Sequence, residues 1–392
     1  MHESIEAAVA ASASSTPARQ LPINFTGSGS EYFRIWIVNL LLCLLTLGLY
    51  LPFAKARRLR YFYANTRIDG QALSFHGNPW HMFRGFMLLL LLMGAYALAG
   101  RYSPMAGLVA FGVLCAVWPA LWRASLQFRL GNTSWRGLRM GFRGELASAY
   151  KAVLPVYLPS IIMLLAQAAF GPGAQEQAGD QALWLGIGTG LPLLAMLLLL
   201  PLGLARIKRY QHDAYVYANQ RSQLSTPTRR FYGLSLKGMS VTLLPMFLIG
   251  MLSAVLIPAL QSKPEAKAVV FGLLGLLLIL AYLLMFMIAG PYFTARMQNL
   301  VWSGTSSAHL QFDSHLKFRA LAWLTAKNWL LTLLTLGLYR PFAAINTARL
   351  RLAAMGLALS GDLDDWVADR MVADADAAGE AAGDFFGFDM GL

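Results

Sequence analysis

Apolar positions along the 392-residue chain fall in long blocks separated by short polar connections. Eight apolar segments can be marked: Ile35–Ala54, Phe83–Gly100, Met105–Trp122, Ala147–Phe170, Ala182–Ala205, Val241–Leu260, Ala268–Pro291 and Ala320–Ala343. A run of about 18 or more mostly apolar residues without charge predicts a helix that crosses a bilayer. Lipid offers no partner for backbone N–H and C=O groups, so each segment must satisfy its own as a helix. Leu-rich blocks without strict alternation exclude a transmembrane β-barrel. The expected fold is an all-α polytopic membrane protein of six to eight membrane helices, with internal repeats and small cytoplasmic β-like connections.

The connections alternate in charge. Lys55, Arg57, Arg58, Arg60 and Arg67 follow the first segment; Arg123, Arg129, Arg136, Arg139 and Arg143 follow the third. Arg206, Lys208, Arg209, Arg221, Arg229, Arg230 and Lys237 follow the fifth, and Arg296, Lys317 and Arg319 the seventh. The intervening connections are nearly uncharged or mixed. An excess of Lys and Arg in short loops marks the cytoplasmic side. Eight ordinary crossings would then leave both termini outside, against Arg349 and Arg351 just after the last segment.

A repeat bears on this conflict. Residues 39–54, NLLLCLLTLGLYLPFA, match residues 328–343, NWLLTLLTLGLYRPFA, at thirteen of sixteen positions. Eight crossings would send the copies through in opposite directions. If both are re-entrant or interfacial, broken near Thr-x-Gly-x-Tyr-x-Pro, six segments cross as three hairpins and both termini are cytoplasmic. The alternative is that one or both copies span normally, as in inverted-topology repeats. A second echo links Tyr63-Ala-Asn-Thr-Arg67 to Tyr217-Ala-Asn-Gln-Arg221. Strand-like pieces recur at 23–29, 72–78 and 309–313, predicting a small β-containing cap.

Composition agrees with a membrane chain: 57% of residues are hydrophobic and 13% charged, against about 45–50% and 25% in a soluble domain. The net charge of +13 is uneven. Residues 1–22 and the acidic segment 362–392 are expected to be disordered tails around a membrane domain spanning 23–361. Nucleic acid is not an expected partner, because the bases lie beside apolar blocks where topology accounts for them. No cofactor is indicated.

Several of these pieces together, FTGSGSEYFRIWIVNLLL, TLGLYLPFAKARRLRYFYANTRIDG, FHGNP, NTSWRGLRMGFRG and TLGLYRPFA, resemble the YjgN-like family of bacterial inner-membrane proteins of unknown function. The similarity runs from about residue 23 to 360 and implies a multi-pass inner-membrane protein with no substrate or catalytic residue to carry over. The acidic tail is not part of it. The last unit departs from the first, since Lys55-Ala-Arg-Arg becomes Ala344-Ile-Asn-Thr.

Candidate chemistry is sparse. The apolar segments contain almost no ionisable residue, which disfavours a proton pump or an ion-coupled carrier. The repeated polar positions Asn39 and Asn328, with Thr46 and Thr335, either line a cavity, joined there by Gln167, or hold helices together. Gly186-x-x-x-Gly190 is a possible close-packing motif. His76 and His81 have no third metal ligand nearby. Cys43 and Cys115 read as small core residues, and no catalytic motif appears. Arg57, Arg58, Arg60, Arg136, Arg139 and Arg143, interleaved with aromatics, suit anionic lipid head groups on the cytoplasmic face. Two functions follow: a transporter or channel-like protein, or a non-transporting scaffold that binds lipid, with homo-oligomerisation open to either. A polar cavity lined by Asn39 and Asn328 would favour the first; solid Leu packing with a basic ring would favour the second.

Overall fold

In the computed structural model the Thr-Leu-Gly-Leu-Tyr stretch breaks the helix in both copies. Helix α1 (Gly29–Leu45) ends at Thr46 and α2 (Leu51–Ala64) turns back; α9 (Phe318–Leu334) and α10 (Arg340–Ala353) do the same. The structure describes residues 19–170, 181–218, 220–259 and 264–360. The turns close identically: the Gly48 and Gly337 amides donate to the Cys43 and Thr332 carbonyls at 2.7 Å. Leu47 and Leu336 sit at φ 49° and 50°, and the glycines at 90° and 95°. This is a helix-ending Schellman pattern, with its left-handed residue unusually a leucine. Thr46 and Thr335 lock each turn, donating to the carbonyl four residues back at 2.7 Å and accepting from the Tyr50 and Tyr339 amides.

The six remaining apolar segments form helices long and apolar enough to cross a membrane. They are α3 (Pro79–Tyr102), α4 (Pro104–Gly131), α5 (Leu146–Phe170), α6 (Gln181–His212), α7 (Thr228–Ala259) and α8 (Pro264–Trp302). At 1.5 Å per residue, the 17 residues of α1 reach about 25 Å and the 32 of α6 about 48 Å. The long helices therefore have the length to cross a hydrocarbon core of about 30 Å, and the helices of the short hairpins fall below it. Their tips carry Leu47 at 95% and Leu336 at 94% exposure, as groups facing lipid should be.

Short strands join the hairpins: β1 (Arg19–Leu21), β2 (Ile23–Phe25), β3 (Thr66–Ile68), β4 (Gln71–Ala72), β5 (Ser74–Phe75), β6 (Thr133–Trp135) and β7 (Leu138–Phe142). They continue with β8 (Tyr215–Tyr217), β9 (Gln220–Arg221), β10 (Gln223–Leu224), β11 (Thr305–Ser306), β12 (Leu310–Ser314) and β13 (Met355–Leu359). Every pairing is antiparallel and follows chain order, from β2 on β3 round to β12 on β13, and β13 returns to β1. Single residues, Pro22, Leu73 and Ser222, separate β1 from β2, β4 from β5 and β9 from β10. The strands thus form three antiparallel sheets, of five, three and five strands, joined end to end through these single residues into a ring. Residues 19–21, assigned above to a disordered tail, belong to this ring: without β1 the last strand would lack its partner. Residues 1–18 and the acidic segment 362–392 lie outside the described residues.

The chain is five consecutive units, each a strand, a helical hairpin and a returning strand. One backbone bond recurs in all five: Thr26 to Asn65, His76 to Asn132, Arg143 to Ala214, Ser225 to Gly304 and His315 to Ala354, each 2.8–2.9 Å from amide to carbonyl. Three units enter their hairpin through Phe-x-Gly, with the Phe ring laid over the glycine. A Cβ at Gly27, Gly77 or Gly144 would come within 2.7, 2.4 or 2.5 Å of that ring. The Tyr-Ala-Asn echo is not part of this symmetry. Tyr63 ends a helix, whereas Tyr217 lies in a strand, and the counterpart of Asn65 is Ala214. Asn219 lies outside the described residues.

Neighbouring units are tied at equivalent points. The carbonyls of Gly27, Gly77, Gly144, Thr226 and Leu316 accept side-chain bonds of 2.7–3.1 Å from Arg349, Arg60, Arg123, Arg209 and Asn299 of the preceding unit. Bonds from a charged donor contribute about 1.5–3 kcal/mol each. Inside the ring, Leu21, Trp135, Leu138, Tyr217, Leu310, Leu357 and Leu359 pack together, none more than 8% exposed. Most of these residues sit on the strand halves away from the helices, so the ring is a cup with a packed floor.

Candidate functional site

The cup opens toward the helices. Its cavity of about 440 Å³ is walled by Ile23, Ile68, Met140, Trp302, Phe312 and Met355, with Thr66, Thr133, Gln220 and Ser222 as its small polar groups. One cation, Arg129, stands in the wall. Burial pushes the Tyr215 hydroxyl above its ordinary pKa, and Arg129 pulls it the other way.

Arg129 belongs to a collar of cations contributed by four units. Lys55, Arg129, Lys208 and Arg351 precede β3, β6, β8 and β13 by eleven, four, seven and four residues. Offsets of three, four and seven put them on one helix face, the one turned to the barrel axis. Burial, then the Arg129 charge, hold the Lys55 ammonium below the usual lysine range. Arg129 and Arg351 also act electrostatically on Lys208. Partners within the collar are neutral: Lys208 Nζ donates to Gln211 Oε1 at 3.2 Å and Arg351 Nε to Gln298 Oε1 at 2.8 Å. Among the described residues the ion pairs are Arg19 and Arg136 with Asp69, and His315 with Asp313. None reaches the collar.

A second group of bases faces outward. Between α5 and α6 at the barrel end, a pocket of about 480 Å³ is lined by Glu145, Lys151, Arg206, Arg209, Asp213 and Arg221. At the equivalent place between α7 and α8, one of about 570 Å³ is lined by Arg230, Lys237, Tyr292, Arg296 and Asn299, with no carboxylate in its wall. Arg206 and Arg296 occupy the same position in their units, nine residues before the returning strand. The Arg296 guanidinium stacks over the Tyr292 ring at 5.8 Å.

The residues singled out from the sequence separate. Asn39 and Asn328 are buried inside the short hairpins, 7% and 6% exposed. Asn39 Oδ1 accepts from Arg57 at 3.5 Å, and Asn328 Nδ2 donates to Ala343 O and Thr347 Oγ1 at 3.4 and 3.3 Å. They hold α1 to α2 and α9 to α10, and line none of the cavities described above. The side chain of Gln167 lies outside the described residues. Arg58 stacks over Phe62 at 5.5 Å. Arg60 is committed to Gly77. Arg136 bonds Asp69 at the far rim of the ring, at 2.9 Å, and so stands away from the helices. Arg139 and Arg143 are exposed on and just after β7. A Cβ at Gly186 or Gly190 would meet nothing within 4 Å, so that motif packs no helix closely here. His76 Nε2 lies 2.9 Å from Ser134 Oγ, and His81 packs on Phe128. Sequence reading missed the collar as a group. The signal was there, as offsets from the returning strands that differ by three, four or seven residues, and needs the five-unit alignment to be seen.

Comparison with known proteins adds a family. The family described as "Bacterial protein of unknown function (DUF898)" matches residues 20–385, and so reaches into the acidic segment that the resemblance above left out. The protein named Inner membrane protein YjgN of Salmonella typhimurium strain LT2 is 33% identical over 137 residues, 34% of this chain and 35% of its own length. The proteins of the same name from Escherichia coli O157:H7 and strain K12 are 33% and 31% identical over 121 and 119 residues, each 30% of both chains. The aligned part spans about a third of these relatives. No solved structure matches.

Proposed function

Because the chain belongs to the family of bacterial proteins of unknown function (DUF898), membership brings no activity with it, and we propose one from the geometry. The protein is a non-conducting, multi-pass inner-membrane protein that gathers anionic lipid head groups on a cytoplasmic basic face, with both termini on that side. The observation that carries this reading is the outward pocket of Arg230, Lys237 and Arg296, three cations with no carboxylate in the wall. It lies where apolar helix gives way to the strand ring, the level of lipid phosphate. Arg57, Arg58, Arg139 and Arg143 extend the same face. Juxtamembrane bases gain about 1 kcal/mol each from an anionic leaflet. The relatives' name supports the inner membrane, and the excess of bases on the ring side supports its cytoplasmic orientation.

The test uses the full chain in nanodiscs of mixed phosphatidylglycerol and phosphatidylcholine, with retained lipid read by native mass spectrometry. Phosphatidylglycerol should be enriched, and less so in Arg230→Gln/Lys237→Gln/Arg296→Gln. Equal retention of the two lipids overturns the reading. Fluorescent and alkaline phosphatase fusions at each terminus check orientation, and phosphatase activity at either end overturns that part. A transporter or channel-like function keeps one observation in its favour, the arrangement of five units around an axis. Saturable solute flux in proteoliposomes would put it first.

A further inference from the structure

Two apolar cavities each hold one cation of the collar in the wall, Lys55 in one and Arg129 in the other. On the membrane side of Lys55, a groove of about 370 Å³ between α2 and the α3–α4 hairpin is lined by Leu51, Met82, Phe86, Leu89, Trp118 and Trp122. Because hairpin α1–α2 stops partway through the bilayer, this groove has lipid beside it where a full-length hairpin would otherwise close it. On the other side lies the cup of about 440 Å³, with Arg129 in its wall. Lys55 and Arg129, one from each cavity, are close enough to repel one another.

We propose that the collar and the cup form one site for an anionic amphiphile: a carboxylate or phosphate head held by Lys55, Arg129, Lys208 and Arg351, and a single apolar chain in the cup. The head follows from charge. Cations brought together in an apolar setting are costly unless a counter-charge compensates them, and none of these four has a carboxylate within 4.0 Å among the described residues. Arg129 and Arg351 supply planar forks that suit either oxyanion, and Lys55 and Lys208 supply point charges. The chain follows from the walls. A free hydrated anion would surrender water to Trp302, Phe312, Met140 and Ile68 and gain nothing from them, whereas an alkyl chain gains by leaving water. The packed floor makes the cup a terminus, so the chain ends there. Its volume lies at the small end of the roughly 300–1,000 Å³ usual for ligand pockets, which favours one chain over two. The groove is the way in from the membrane. This site is separate from the outward pockets, and stands or falls independently of them.

A long-chain fatty acid carrying a diazirine near its chain end, offered to the whole protein in phosphatidylcholine nanodiscs, tests it. After irradiation, peptide mapping should place the adducts on the cup strands, within 133–140, 215–217, 305–312 or 355–357. Labelling should fall about tenfold, close to 1.4 kcal/mol, in Arg129→Gln and in Lys208→Gln, and with the matching fatty alcohol. It should stay within about twofold in Arg230→Gln/Arg296→Gln, which alters only the outward pocket. If Arg129→Gln does not give a monodisperse, helical protein, Lys208→Gln carries the comparison. Adducts confined to α2, α3 and α4 put the chain in the groove and overturn the cup. Equal labelling by acid and alcohol overturns the role of the collar. Displacement by millimolar inorganic phosphate, without adducts in the cup, assigns the collar to a free anion and overturns the amphiphile.

Discussion

The first and last units differ from the middle three in one respect that decides their relation to the membrane. All five share the entering strand, the returning strand and the backbone bond between them. In the middle units the helices run on, and none of their apolar stretches is more than 28% buried in the protein. In the outer units a five-residue turn stops the first helix after 17 residues and sends the chain back. The polar contacts differ accordingly. Each short hairpin buries an asparagine between its helices, while the long helices are held by packing and by tyrosines that donate to a carbonyl of the neighbouring hairpin, Tyr150 to Ala116 O and Tyr232 to Leu198 O. A single scaffold thus carries three long hairpins of spanning length and two short ones, and the shortness of the first opens the groove beside Lys55.

The comparison breaks outright if a short hairpin crosses. Single cysteines at Arg34, Arg58 and Ala320, on a cysteine-free background, are expected to react with an impermeant thiol reagent from one and the same side. Tyr102→Cys, 86% exposed at the tip of the α3–α4 hairpin, should react only from the other. Labelling of Arg34→Cys and Arg58→Cys from opposite sides sinks the division into three spanning and two re-entrant hairpins.

Much of that division was legible. The Thr-x-Gly-x-Tyr-x-Pro repeat and the charge conflict together pointed to six crossings, because a helix broken twice at the same place in two near-identical copies has to serve one geometry. The ring of strands was half legible. The pieces at 23–29, 72–78 and 309–313 are all in it, but closure depends on hydrogen bonds between segments hundreds of residues apart, which no local pattern encodes. Arg60 and Arg136 read as interface bases because a sequence shows charge and not partner. In space, one is spent on the Gly77 carbonyl and the other on Asp69. The asparagines were visible as a pair, and only burial separates helix-to-helix contact from a solute path.

Trp135 sharpens the comparison from the side the units share. It is 2% exposed in the cup floor, where its Nε1 donates to Ile68 O at 3.3 Å. Trp135→Ala should cost about 3–5 kcal/mol. Since the floor joins all five units, reporters in short and long hairpins should loosen together on thermal or denaturant titration in detergent. Loosening confined to the second unit and its neighbours would mean the ring does not couple the two kinds of hairpin.

The turns separate the kinds again at intermediate size. A β-branched side chain at φ 90° or 95° is strained, so Gly48→Val and Gly337→Val should each destabilise by about 1–3 kcal/mol. Gly190→Val, in a long helix where an added Cβ would meet nothing within 4 Å, should stay within about 0.5 kcal/mol. Melting curves of the three variants, followed by tryptophan fluorescence, decide this. Similar losses in all three would remove the turn as the distinguishing element.

The smallest effect lies between the two short hairpins themselves. Arg57 and Asn346 occupy the same position, nine residues before β3 and β13. Arg57 donates to Asn39 Oδ1, whereas Asn346 turns to the Tyr339 hydroxyl at 3.2 Å and leaves Asn328 Oδ1 buried with no partner. An unsatisfied buried acceptor costs about 1–3 kcal/mol, and a new bond returns only part of that once the ordering of a long side chain is counted. Asn346→Arg should therefore stabilise the last hairpin by about 0.5–1 kcal/mol, against a matching loss in Arg57→Asn. The gain should vanish in an Asn328→Leu background, where no acceptor remains. A double-mutant cycle on thermal stability reads this directly. If Asn346→Arg is neutral with Asn328 intact, the two hairpins are equally satisfied as they stand, and the departure from Lys55-Ala-Arg-Arg in the last unit has a cause other than this missing bond.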